Sequence, residues 1–211
     1  MVLRLKGVVE YDGTEYAGFQ RQSNQPTIQG EIESVLGRLT QQEVRILAAG
    51  RTDAGVHAEE QVIAFDVAWP HPIADLQRGM NALLPNAIAV RRLEVAEPGF
   101  HPRFDAVSRR YRYQIVNQAV RSALMARFAW HVSRPLDLEA MRRAGGELVG
   151  THDFATFGLP TQGESTVRHV SQVCWGRRDS LIWMEIEANA FLRGMVRCIV
   201  GTLAQVGLGG M

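Results

Sequence analysis

Residues 2–11 alternate between apolar and polar, with Leu3, Leu5 and Val9 on one side and Arg4, Lys6 and Glu10 on the other. That is the period of a half-buried strand. A polar stretch from Asp12 to Pro26 follows, after which Thr27 stands where a helix N-cap belongs and Ile28, Ile32, Val35, Leu36 and Leu39 recur at helical spacing. Residues 43–49 and 61–67 read as strands. Ile73, Leu76, Met80 and Leu83 form a second amphipathic stripe that Pro85 ends, and residues 87–95 read as one more strand. The order β-α-β-β-α-β is that of the split βαβ, or ferredoxin-like, unit.

The second half starts the same order again. A strand at about 108–116 leads to a helix with Leu138, Met141, Gly145 and Leu148 on one face, and strands follow at about 167–176 and 181–189. Phe191, Met195, Cys198, Ile199, Thr202, Leu203 and Val206 then mark a last helix, and the sequence reaches Gly209-Gly210-Met211 where a closing strand is expected. The pattern therefore predicts an α+β protein of two related units, residues 1–104 and 105–211, the second one strand short.

Composition narrows the class. With 46% hydrophobic and 21% charged residues in 211, the profile is that of a globular protein with one large or two small cores rather than a disordered chain. No apolar run reaches the length of a membrane span, and Met1 to Gly7 interleaves charges where a secretory signal would be greasy, so a cytoplasmic location is expected. Cys174 and Cys198 make neither a disulfide framework nor a metal cluster; lying in apolar segments, both are expected to behave as small hydrophobes. The net charge of +1 conceals an asymmetry, for residues 1–100 hold 9 basic and 13 acidic side chains and residues 101–211 hold 14 and 9. Lys6 is the one lysine, so the positive charge is almost all guanidinium, suited to phosphate forks and base stacking. GC-rich coding gives the same composition without any nucleic-acid role.

Three features could carry chemistry. The loop Gly50-Arg51-Thr52-Asp53-Ala54-Gly55-Val56-His57-Ala58 joins two predicted strands and offers Arg51, Asp53 and His57 among small residues, with Gly50 and Gly55 open to backbone conformations closed to other side chains. Asp53 reads either as an aspartate capping its own turn or as a carboxylate presented to a ligand, and two candidate ligands without a third do not make a metal site. Arg197 lies in the apolar run Met195 to Val200. Carried into the core there, its guanidinium would need an anion: Asp53, or Glu185 or Glu187 on the preceding strand, unless it snorkels to solvent. In Ser108-Arg109-Arg110-Tyr111-Arg112-Tyr113, alternation puts the tyrosines on one face and Arg110 and Arg112 on the other, a pattern that serves base stacking or ordinary core packing.

The Gly50–Ala58 run closely resembles the signature loop of the TruA-type tRNA pseudouridine synthases, and the similarity extends over nearly the whole chain. Glu10-Tyr11-Asp12-Gly13-Thr14 with Gly18-Phe19-Gln20-Arg21-Gln22 is similar to that family's first strand and loop. Phe100-His101-Pro102-Arg103-Phe104 leading to Arg109–Tyr113 is similar to its central segment, and Asp153-Phe154 with Phe157, Asn189-Ala190-Phe191, Met195-Val196-Arg197 and Ile199-Val200-Gly201 to its later blocks. The resemblance implies an isomerisation, free of cofactor and metal, that detaches uracil from its ribose and reattaches it through carbon at positions 38, 39 and 40 of the tRNA anticodon arm. It implies Asp53 as the essential carboxylate, Arg197 as its ion-pair partner, Tyr111 as the ring stacking near the target base, and Arg51 as a residue that helps displace the nucleotide. Arg21, Gln22, Arg110 and His57 would also touch the RNA. It further implies two ferredoxin-like (RRM-like) units joined in one continuous, mostly antiparallel sheet with helices on one face, and a homodimer that binds tRNA across both subunits. Members of the family continue with another helix and a closing strand, which this sequence lacks. The rival readings are a non-catalytic RNA-binding protein on the same fold, in which Asp53 is structural, and a hydrolase using Asp53 and His57.

Overall fold

A computed structural model describes residues 2–160, 163 and 165–210, so the two terminal methionines lie outside the described residues. The chain divides into two compact units, Met1–Ala106 and Val107–Met211.

In the first unit β1 (Val2–Tyr11) runs antiparallel to both β3 (Ala58–Ala68) and β4 (Ile88–Val95), and β2 (Leu47–Ala48) pairs antiparallel with β3, giving the order β2-β3-β1-β4. That order is compatible with a ferredoxin-like unit. Helix α1 (Ile28–Thr40) starts at Thr27, whose extended backbone lets its hydroxyl accept from the Gly30 N–H, and it buries Ile28, Ile32, Val35 and Leu36. Helix α2 (Ile73–Leu83) stops because Leu84 precedes Pro85, and a residue before proline is pushed into the extended conformation that Leu84 adopts. Both helices close one core with Leu5, Val9, Ile63 and Phe65. Residues 43–46, expected in a strand, are not in one. Val44 and Ile46 are buried with the expected alternation, but the Ile46 N–H donates to the Glu33 carboxylate instead of a strand partner.

The second unit holds a mixed sheet, β6-β5-β9-β8-β7, from β5 (Arg109–Asn117), β6 (Trp130–Val132), β7 (Gly150–Asp153), β8 (Val167–Arg178) and β9 (Leu181–Ala188). Strand β6 is parallel to β5; the other pairs are antiparallel. Strands β6 and β7 are too short for a period of two to register in sequence. Helix α3 (Leu138–Gly146), capped by Asp137, and helix α4 (Met195–Gly207) pack on this sheet around Ile115, Met141, Met184 and Ile186.

Two expectations for α4 need correction. Its buried stripe is Met195, Ile199 and Leu203 with Val200, Ala204 and Gly207, not with Cys198 and Thr202. Cys198 is therefore exposed, as is Cys174 on β8, so neither thiol is a core group. The Thr202 hydroxyl, turned outward, donates to the Cys198 carbonyl one turn back.

Candidate active site

The loop carrying Asp53 connects β2 to β3 and is held against the segment that follows β1. The Phe19 N–H donates to the Thr52 carbonyl at 3.0 Å, the Gly55 N–H to the Tyr16 carbonyl at 3.4 Å, and the Gln61 amide to the Gly50 carbonyl at 2.7 Å. The hydroxyls of Tyr11 and Thr52 are 2.8 Å apart. A turn closed by the Val56 N–H on the Asp53 carbonyl, at 3.2 Å, presents the half-buried Asp53 between anchored neighbours. Gly55 takes φ +75°, whereas Gly50 has no positive φ, so only one of the two glycines uses the freedom expected of it.

Asp12, to which the sequence pattern assigned no role, organises the other side. Its Oδ1 accepts from the Thr14 N–H at 2.9 Å and the Thr14 hydroxyl at 2.5 Å, and lies 3.0 Å from His57 Nδ1. The same ring nitrogen is 3.2 Å from the Gly13 nitrogen, whose N–H it accepts. One nitrogen cannot do both at once: deprotonated, Nδ1 accepts from Gly13, and protonated, it donates to Asp12. His57 also ties its own loop to residues 12–14. Tyr16, buried beside the loop, has its phenol pushed up from the ordinary range by burial first and then by the charges of Glu31 and Asp12.

Arg51 is exposed, and among the described residues its guanidinium has no hydrogen-bond or ion-pair partner. Arg21 bonds Glu33 through its guanidinium, and the Gln22 side chain donates to the Ala17 carbonyl at 2.7 Å.

In the second unit Tyr111 and Tyr113 face the core side of β5. Tyr111 meets Phe191, which lies ahead of α4 rather than on it, edge-to-face at 4.9 Å between ring centroids. Burial pushes the Tyr113 phenol up, and the positive charge of Arg197 pulls it partly back. Of the alternatives left open for Arg197, burial in the core is not found: it is exposed, in the first turn of α4. Met195, Ile199 and Val200 of the same run face the core; it does not. Arg110 is on the opposite face of β5 from Tyr111, paired with Glu187 at 2.9 Å, and Arg112 pairs with Glu185 at 2.6 Å. The Ser108 hydroxyl and then Arg110 hold the Glu187 carboxyl below the ordinary carboxylate range.

Among the described residues no helix is long and apolar enough to cross a membrane. The structure thus groups Asp53, Arg51 and His57 in one unit and Tyr111 and Arg197 in the other.

Comparison with known proteins supplies the family. The sequence model of a family described as tRNA pseudouridine synthase matches residues 8–105 and 144–211. The chain is 44% identical over 207 residues to tRNA pseudouridine synthase A of Brevibacillus brevis, covering 98% of this chain and 85% of that protein. It is 45% identical over 206 residues to the enzyme of the same name from Geobacter sulfurreducens, covering 97% and 84%. A third relative of that name, from Aeromonas hydrophila, is 42% identical over 208 residues, covering 98% and 77%. Matched over most of its length by the family and by relatives well above 30% identity, the chain belongs to the TruA-type tRNA pseudouridine synthases.

Proposed function

We propose that this chain isomerises uridine to pseudouridine in tRNA, at positions 38, 39 and 40 of the anticodon arm, with Asp53 as the essential carboxylate. The observation that carries the reading is the anchored Gly50–Ala58 loop, which presents Asp53 beside the exposed guanidinium of Arg51 in a chain of this family. The reaction breaks the bond between N1 of uracil and the ribose and makes one to C5, while C5 loses a proton and N1 gains one. No atom or electron is gained overall, so the balance calls for no redox partner.

Chemistry on a paired base requires the nucleotide to leave its stack, at a cost of about a few kcal/mol. Arg51 fills the space that the base vacates, and Tyr111 of the second unit stacks on it. Arg197 pairs with Asp53 and keeps that carboxylate ionised and aimed. Its position supports this assignment, because a cation in the first turn of a helix opposes the macrodipole and an anion brought to it removes the conflict. Gln22 contacts the RNA beside the loop, and Arg110, on the far face of β5, contacts phosphate away from the reacting base. The same reading, on the resemblance alone, includes one continuous sheet built from two ferredoxin-like units, a homodimer that holds tRNA across both subunits, and a cytoplasmic location.

The test is incubation of the protein with unmodified tRNA, followed by carbodiimide labelling and primer extension. Stops confined to the anticodon arm are expected, together with their loss in Asp53→Ala and Asp53→Asn while both variants still bind tRNA. Release of free uracil, a cleaved strand, or stops that persist in Asp53→Ala would each refute the assignment.

A further inference from the structure

Glu33 lies in the middle of α1 with its side chain only 5% exposed. A carboxylate so buried must be fully partnered, and Glu33 is: Oε1 accepts from the Gln29 amide at 2.9 Å and the Ile46 N–H at 3.1 Å, while Oε2 faces Arg21 at 3.5 Å and Arg45 at 3.3 Å. One oxygen is therefore taken by neutral donors of the frame, and the other gathers two guanidiniums from separate segments. Both arginine side chains remain well exposed, at 59% and 58%.

We propose that Arg21 and Arg45, held together by Glu33, form a clamp for an RNA backbone phosphate on the α1 side of the first unit. The proposal rests on the reading of the substrate as tRNA. One buried carboxylate compensates one guanidinium, so the pair has room for a further anion. Glu43 supplies part of it to Arg45 at 2.5 Å, but Glu43 is 77% exposed, and an ion pair so open to water is weak. A phosphate can displace it. Arg21 commits one N–H to Glu33, and among the described residues its other guanidinium donors have no partner. Guanidinium forks match phosphate oxygens.

The shape agrees with the charge. Arg21, Glu33 and Arg45 line a concavity of about 360 Å³ whose α1 wall is Gly30, Ser34 and Gly37, side chains too short to hold a phosphate away. The clamp is also tied to the chemistry, because Arg21 is two residues from Phe19, whose N–H is bonded to the carbonyl of Thr52 next to Asp53. An RNA strand gripped here is held at a fixed offset from the catalytic loop.

Affinity for unmodified tRNA, measured over a series of salt concentrations, tests the clamp. Arg21→Gln and Arg45→Gln should each reduce the slope of log K against log salt, and the double variant should reduce it by about 1 in all, since the two guanidiniums share one phosphate. Each single variant leaves Glu33 with one arginine and both neutral donors, so folding is expected to survive, and circular dichroism checks it. Arg78→Gln, on the exposed side of α2, is the control and should leave the slope as it is. Slopes that match wild type in folded Arg21→Gln and Arg45→Gln would overturn the clamp. Wild-type protein that shows the expected slopes but makes no pseudouridine would instead overturn the catalytic reading and leave the clamp standing.

Discussion

At position 13 a side chain has nowhere to go. A Cβ built on Gly13 would lie 2.1 Å from the Val56 carbonyl oxygen, a backbone atom of the very loop that carries Asp53. The loop cannot yield there without moving its turn, because the Val56 N–H is bonded to the Asp53 carbonyl. Gly13→Ala is thus expected to destabilise the protein by about 1–3 kcal/mol, the usual cost of forcing extra volume into a packed site. It should also lower the rate of pseudouridine formation. A urea midpoint and a turnover rate both equal to wild type would show that the contact is unimportant. The sequence revealed that Asp53 sits among small residues; it could not reveal that Gly13, about 40 positions earlier, is what the loop leans on, since close approach of two backbones leaves no periodic trace. The roles of Asp12 and His57 were hidden for the same reason. Arg197 is the opposite case: its apolar sequence neighbours suggested burial, but on a helix angular position decides, and Met195 and Ile199 point away from it.

Elements long enough to show several periods were legible, with β1, α1 and α2 observed at or within a residue or two of where their patterns put them. The three- and four-residue strands β6 and β7 were not, and β2 shrank because Glu33 took the N–H its ladder needed. Cross-strand chemistry is likewise invisible until register is known. Register puts Arg110 opposite Glu187 and Arg112 opposite Glu185, joining β5 to β9 by two ion pairs on the outward face. Glu187 has its carboxyl held below the ordinary range in the folded protein, first by Ser108 and then by Arg110. A depressed carboxyl contributes stability above its unfolded pKa and loses that contribution as pH falls through the folded value. Ser108→Ala removes the largest cause, so the Glu187 carboxyl should move back up. Urea midpoints followed from neutral pH into the carboxylate range should then start lower in the variant and fall less steeply than in wild type. Parallel curves would mean that the Ser108 hydrogen bond contributes nothing in solution.

At the scale of the whole molecule, the residues assigned to one reaction are divided between two compact units, each with its own core. Asp53 and Arg51 belong to the first, Tyr111 and Arg197 to the second, and the excess of arginine lies in the second half of the sequence. Residues that act as one group are strongly non-additive, because once the first is lost the second has nothing left to assist. Rates of pseudouridine formation should therefore be compared for Asp53→Asn, Arg197→Met and the double variant on the same unmodified tRNA, at saturating concentration. If Arg197 serves by orienting the Asp53 carboxylate, the double variant will be no slower than Asp53→Asn alone, and Arg197→Met will matter only where the carboxylate is present. If the two losses multiply, the residues act independently, and the ion pair between them is wrong even though both groups contribute to the reaction.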